Sequence, residues 1–157
     1  MIKESTVRTL IDETTEGTDI FLVDLKISSG NKISVLIDAI GGLPITDCMK
    51  VSRGVEQNLD REDEDFSIDV SSPGLDKPFK VFRQYEKNID RSIRVVLEDE
   101  GVLDAKIVAV NEEELKISMT IEQIITNGDL LEGMKKGDDL VLAQSDVKEA
   151  KINISFS

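Results

Sequence analysis

Two short runs of alternating apolar residues, held apart by a glycine turn, constrain this chain more than any other feature. In residues 19–28 (DIFLVDLKIS) Phe21, Val23, Leu25 and Ile27 alternate with other residues, and in residues 32–38 (KISVLID) Ile33, Val35 and Ile37 do the same. A period of two puts every second side chain on one face of a strand, so each run reads as a half-buried strand. Ser29-Gly30-Asn31 supplies turn chemistry between them, which makes the pair a β-hairpin.

Helical spacing flanks the hairpin. Val7, Leu10, Ile11 and Thr14 share one face of residues 3–15, and Gly17 ends that run. In PITDCMKVSRGVEQNLD (44–60) Cys48, Val51, Val55 and Leu59 fall at three- and four-residue steps. Thr46 is placed to cap this second helix, and Asp47 complements its dipole in the first turn. Gly54 should weaken it by about 1 kcal/mol relative to alanine. Residues 66–71 (FSIDVS) alternate again as a third strand. The order is αββαβ, an α+β arrangement in which two helices cover one face of a three-stranded sheet.

A short helical or looped stretch over 79–89 comes next, and then the pattern changes. Residues 93–98, 102–110, 114–119, 139–143 and 150–156 read as five short strands, with turn signals at Glu100-Gly101, Asn111-Glu112 and Gly137-Asp138. Strands this short and this close suggest a small SH3/Sm-like β-barrel. Residues 121–136 interrupt it and fit either a short helix or an extended hairpin. The expected division is an α+β domain over 1–84 and a barrel over 85–157.

Composition narrows the chemistry. Aromatics are 4% and tryptophan is absent, so the core must be built from Ile, Val and Leu. There is one cysteine, Cys48, and no histidine. An intrachain disulfide is therefore impossible, the usual zinc ligands are missing, and so are the Ser–His and Cys–His nucleophile pairs. Cys48 falls on an apolar helix face and reads as a small core residue. Asp24, Asp38 and Asp69 lie on or beside strands and are the carboxylates a Mg²⁺-dependent hydrolase would use, but no phosphate-cradling glycine motif accompanies them. Neither an enzyme nor a cofactor is expected. Residues 1–17 carry charges and no long apolar run, and nothing approaches the ~20 apolar residues of a membrane span. A soluble, cytoplasmic monomer is expected.

The net charge is −13, yet residues 77–94 hold Lys77, Lys80, Arg83, Lys87, Arg91 and Arg94 against only Glu86 and Asp90. This local excess is the candidate for contact with RNA, since neutralising phosphates releases counterions. Phe79, Phe82 and Tyr85 are interleaved with it and suit either stacking on bases or burial. The acidic run Asp60, Glu62, Asp63, Glu64 and Asp65 is a solvated loop or a docking surface for a basic protein.

The most specific segment is VSSPGLDKPF, residues 70–79. Pro73 fixes φ and Gly74 permits a positive φ, the pairing a type II turn needs at its centre. Ser71 and Ser72 can bond nearby backbone, Asp76 can cap the residues after it, and Pro78 forbids regular structure. By itself the segment reads as a rigid interdomain corner. It also resembles the signature SSPGLDRPL of the RimP ribosome-maturation factors, over Ser71, Ser72, Pro73, Gly74, Leu75, Asp76, Lys77 and Pro78, with Lys77 for the usual Arg and Phe79 for Leu. FLVDLKI (21–27) is similar to that family's first strand, and VLIDAIGGLPITDCMKVSRGVEQNLD (35–60) to its second strand, glycine turn and helix. SDVKEAKI (145–152) is similar to its closing D-I-K-K-A-R-L pattern. Lys77 lacks the planar fork of an Arg, which puts any bidentate contact there in question. The resemblance implies an αββαβ domain followed by an SH3/Sm-like barrel. It also implies a non-catalytic factor that binds the small ribosomal subunit during late maturation, near the decoding centre, where 16S rRNA meets basic ribosomal proteins. The alternatives are a general Sm-like RNA-binding module, which works as a ring, and an acidic adaptor for a basic partner.

Overall fold

The computed structural model describes residues 2–59 and 65–153. The chain divides into two compact units, Met1–Pro73 and Gly74–Ser157.

In the first unit, helix α1 (Glu4–Thr15) precedes β1 (Ile20–Ser28) and β2 (Lys32–Ala39), then α2 (Ile45–Asn58) and β3 (Ser67–Ser71). The sheet order is β1-β2-β3, with β1 and β2 antiparallel. A tight turn suffices for that pair, and Gly30 (φ 78°) and Asn31 (φ 54°) accept the left-handed backbone it requires. β3 runs parallel to β2, which is possible because α2 carries the chain back across the sheet. Val7 and Ile11 of α1 and Val51 and Val55 of α2 pack with Leu25, Ile33, Val35, Ile37 and Phe66 in one core. Asn31 also ties the turn to its surroundings. Its Oδ1 accepts from the Ile2 N–H (3.0 Å), and its Nδ2 donates to the Asp65 carbonyl (3.0 Å).

Two expectations about α2 are corrected. Thr46 does not cap the helix: the helix begins at Ile45, Pro44 holds the N-cap position, and no side chain caps it. Proline suits this end because it has no N–H to leave unpaired. Gly54 has a packing purpose that helix propensity does not reveal. A Cβ there would lie 2.5 Å from Thr14 Oγ1 and 2.8 Å from its Cγ2, so the glycine lets α1 and α2 approach.

In the second unit α3 (Arg83–Lys87) leads to β4 (Ser92–Leu97), β5 (Val102–Asn111), β6 (Lys116–Thr126), β7 (Asp139–Ala143) and β8 (Val147–Ile152). All pairings are antiparallel, in the order β7-β6-β5-β4-β8. Ile93, Val95, Leu97, Leu103, Ile107, Ile117, Met119, Ile121 and Leu142 line its core. Residues 121–136 extend β6 to Thr126 and then form a 3-10 turn at Asp129–Leu131. Asp99 pins this turn: its carboxylate accepts the Gly101 N–H (2.9 Å) and the Leu130 N–H (2.9 Å), which holds its pKa below the usual carboxylate value. Leu131 is thereby seated in the core.

The barrel expected here is not closed. β7 pairs only with β6 and β8 only with β4, so among the described residues the two outer strands share no ladder. Register shifts in the β5–β6 pairing bend the sheet, but among the described residues the outer strands, of five and six residues, do not pair with each other. The division between units falls at Pro73/Gly74. Placing it at 84/85 would cut Phe82 from Tyr85, and both belong to the second core.

Gly54→Ala should therefore destabilise the protein by about 1–3 kcal/mol in urea unfolding, the usual cost of overpacking, where propensity alone would have it stabilise by about 1 kcal/mol. Adding Thr14→Ala should recover part of the loss. A Gly54→Ala midpoint at or above that of the unmodified chain would show that the helices do not need this approach.

Candidate functional site

Beyond β3 the signature segment is open to solvent. Ser71, Ser72, Gly74, Leu75, Asp76, Lys77 and Pro78 are exposed, Pro73 is half-buried, and Leu75 keeps 65% of its surface accessible. The type II turn expected at Pro73-Gly74 is not formed. Gly74 has no positive φ, and the turn bond runs from the Lys77 N–H to the Gly74 carbonyl (3.1 Å), which puts Leu75 and Asp76 at the centre. What Gly74 provides is room, since a Cβ there would lie 2.8 Å from Asp76 Oδ1.

The next residues are held by two buried amides. The Phe79 N–H donates to the Ala150 carbonyl of β8 (2.7 Å). Gln84 Oε1 accepts from the backbone N–H groups of both Lys80 (2.6 Å) and Val81 (3.0 Å). One turn later, Asn88 Nδ2 donates to the Gln84 carbonyl (2.7 Å), and its Oδ1 accepts from Arg91 Nη1 (3.2 Å). Buried polar groups are costly unless bonded, and these two are bonded to the basic segment itself. Sequence reasoning passed over both residues. Their four-residue spacing around Tyr85 is the only signal they leave.

The aromatics turn inward. Phe82 and Tyr85 are buried and Phe79 packs against the same core. Phe79 and Tyr85 meet edge to face with ring centroids 5.1 Å apart, and Phe82 and Tyr85 are 5.7 Å apart and tilted. Burial pushes the Tyr85 hydroxyl pKa up to about 12. Of the two uses left open for these rings, the structure takes burial.

With the aromatics inside, the cations lie outside. Lys77, Lys80 and Arg91 are exposed and Arg83 and Lys87 half-buried. Arg83 and Lys87 are one turn apart on α3, and Arg83 Nε lies 3.9 Å from Glu86 Oε2. Arg94 is different. It sits on β4 directly opposite Asp104 of β5, with Nε 2.8 Å from Oδ1 and Nη2 3.1 Å from Oδ2. The Asp104 side chain is 7% exposed, and this bond raises the Arg94 pKa further. A bidentate pair of this kind occupies the fork that a phosphate would otherwise use. Asp104 was missed in the sequence, although hairpin register about Glu100-Gly101 sets it across from Arg94.

Of the acidic run, Asp60, Glu62, Asp63 and Glu64 lie outside the described residues. Asp65 is exposed, and its Oδ1 accepts from the Phe66 N–H (3.0 Å). Asp24 and Asp38 accept the N–H of their own next residues (3.0 and 2.9 Å). Among the described residues no three His, Cys, Asp or Glu gather to hold a metal ion, so Asp24, Asp38 and Asp69 do not form such a group. Cys48 is half-buried against the first core, and burial followed by the Asp47 charge raises its thiol pKa. A raised pKa keeps it a thiol, which suits a packing residue. No helix among the described residues is long and apolar enough to cross a membrane.

Residues 10–76 match the family model described as the RimP N-terminal domain. A protein of Christiangramia forsetii named ribosome maturation factor RimP is 36% identical over 156 residues, spanning 99% of this chain and all of the relative. Proteins of the same name from Flavobacterium psychrophilum and Porphyromonas gingivalis are 34% and 30% identical. They cover 73% and 94% of this chain, and 74% and 95% of their own lengths.

Arg94→Gln should lower stability by about 1–3 kcal/mol, because a buried carboxylate loses its charged hydrogen-bond partner. Urea unfolding monitored by circular dichroism measures it. An unchanged midpoint would mean that Arg94 is not committed to Asp104 in solution.

Proposed function

The chain belongs to the RimP family of ribosome maturation factors, and from that membership we infer that it binds the immature small ribosomal subunit and promotes its late maturation. It acts as an assembly factor without catalytic chemistry of its own. Its contacts are 16S rRNA and a basic ribosomal protein near the decoding centre, and it works as a monomer in the cytoplasm, where subunits are assembled. In the second unit the last strand returns beside the first and comes after a 3-10 turn at Gln144–Asp146. That order supports a sheet curled in the SH3/Sm-like manner, though it is not hydrogen-bonded into a closed barrel.

One observation carries the subunit-binding reading. In a chain of net charge −13, the exposed signature turn continues into a stretch whose aromatics are buried and whose cations Lys77, Lys80, Arg83, Lys87 and Arg91 reach solvent. Contacts of this kind go to phosphates and set orientation without reading sequence. Arg94 belongs to the hairpin and contributes little to this face. A second reading concerns the remaining acidity. Residues 85–157 sum to −7, and a basic ribosomal protein would be steered to that unit.

The triple variant Lys80→Glu, Arg83→Glu, Lys87→Glu should bind immature small subunits at least about tenfold more weakly. Its salt dependence should be shallower by about two ions, as expected when two to three phosphate contacts are lost. Sucrose-gradient co-sedimentation at several salt concentrations measures both. Full affinity with an unchanged salt slope would remove the basic segment from the interface. For the second reading, the whole chain should retain a basic small-subunit protein at low salt and release it near physiological salt; no retention at low salt ends that idea.

A further inference from the structure

We propose that Asn127-Gly128, between β6 and the 3-10 turn at Asp129–Leu131, is a self-modification site. There the folded chain loses ammonia and comes to carry aspartate or isoaspartate, and the isoaspartate form unseats the turn. The site stands apart from the small-subunit contact and needs no partner.

The chain has six asparagines, and only Asn127 precedes a glycine. The others are engaged through their side chains. Asn31 bonds the Ile2 N–H and the Asp65 carbonyl, Asn58 Nδ2 donates to the Gly54 carbonyl (2.6 Å), and Asn88 bonds the Gln84 carbonyl and Arg91. Asn111 Oδ1 accepts the Glu114 N–H (3.1 Å), and Asn153 Nδ2 donates to Ser92 Oγ (3.4 Å). Asn127 is exposed, and among the described residues its side-chain amide has no hydrogen-bond partner. The Gly128 N–H likewise donates to none of them. The two groups that must react are therefore free together. On either side the backbone is held: Thr126 closes the ladder opposite Val102, and the Gly128 carbonyl accepts the Leu131 N–H (3.1 Å).

Asp99 makes the glycine obligatory. A Cβ on Gly128 would lie 2.6 Å from Asp99 Oδ1 and 2.9 Å from its Cγ. Asp99 cannot move away without giving up the Gly101 and Leu130 N–H groups, each at 2.9 Å. A residue without Cβ also leaves its own nitrogen unshielded and free to turn toward the preceding side chain. Asparagine is among the thermally labile residues, and here the turn itself demands the follower that least obstructs cyclisation.

The Gly128 nitrogen attacks Asn127 Cγ, its proton passes to the departing amide, and ammonia leaves. Ring closure is favoured because both groups belong to adjacent residues. Water then opens the cyclic imide. Cleavage at the side-chain carbonyl gives aspartate, and cleavage at the main-chain carbonyl gives isoaspartate. One water enters, one ammonia leaves, and nothing is oxidised or reduced. Either product adds a negative charge near Asp129 and Asp99. Isoaspartate also routes the main chain through the side-chain methylene and so lengthens it by one atom. A turn fixed by Asp99 at the Leu130 N–H has no slack for that atom, and Leu131 is drawn from the core.

The test incubates the full chain at mildly alkaline pH, native or unfolded in urea, and maps it with trypsin. Fragment 117–135 contains no other asparagine. It should split into two new forms of equal mass, each with an amide exchanged for a carboxylate, before any other asparagine changes. An isoaspartyl carboxyl methyltransferase should label this fragment alone. A site already open in the native state needs no unfolding, so the native rate should lie within about tenfold of the rate in urea. Asn127→Ser should abolish both new forms and keep the urea midpoint of the fresh chain. The aged, methyl-accepting fraction should unfold at lower urea than Asn127→Asp, which carries the charge without the extra main-chain atom. Reaction first at another asparagine, or at Asn127 only in urea, would overturn the site. An isoaspartate-rich chain with the same midpoint as Asn127→Asp would overturn the unseating of the turn.

Discussion

Burial of Phe82 and Tyr85 beneath the second sheet governs everything between residues 74 and 94. The chain has five phenylalanines and one tyrosine, and three of those six rings lie within residues 79–85. Aromatic side chains bury more apolar surface than any others, so a segment this rich in them cannot remain a solvated linker. Once the rings are inside, Lys80 before the short helix is left exposed, and Arg83 and Lys87, one turn apart on it, reach solvent in part. The unit boundary moves to Pro73/Gly74 for the same reason. A single packing event thus sets where the second unit begins and which residues are available to a partner.

Polar groups then fix the details that apolar packing leaves loose. Gln84 and Asn88 serve the backbone of the basic segment, Asp99 seats the 3-10 turn within residues 121–136, and Asn31 joins the first hairpin to both its neighbours. Each is an amide or carboxylate whose partners are mostly backbone N–H or C=O groups. None of these residues carries chemistry that would act on a substrate. Within each unit they fix local backbone, which suits a factor that works by binding.

On the proposed reading, the same patterning would let so acidic a protein approach RNA. Long-range repulsion from a charge of −13 acts over about one Debye length, roughly 8 Å in physiological salt, so local cations decide the outcome at contact. Arg94 shows that a basic residue in the right window need not belong to the face. Its guanidinium is taken up by Asp104, a partner ten residues away in sequence and directly across the hairpin.

Much of the fold could be read from the chain. Period-two alternation identified β1, β2 and β3, three- and four-residue steps identified α1 and α2, and the exposed SSPGLDKP segment was singled out by its prolines and glycine. These are local properties, determined by how side chains project from regular backbone. Pairing and packing are not local. The sequence could not show that Gly54 makes room for Thr14, that Gly74 shapes a turn one residue further on, or that β7 and β8 lie at opposite edges of the sheet and not beside each other. Nor could it decide whether a given cation would face solvent or a buried carboxylate. Local periodicity was therefore settled by the sequence alone, whereas the identity of each residue's distant neighbours, and hence its availability for binding, was decided only when the chain folded back on itself.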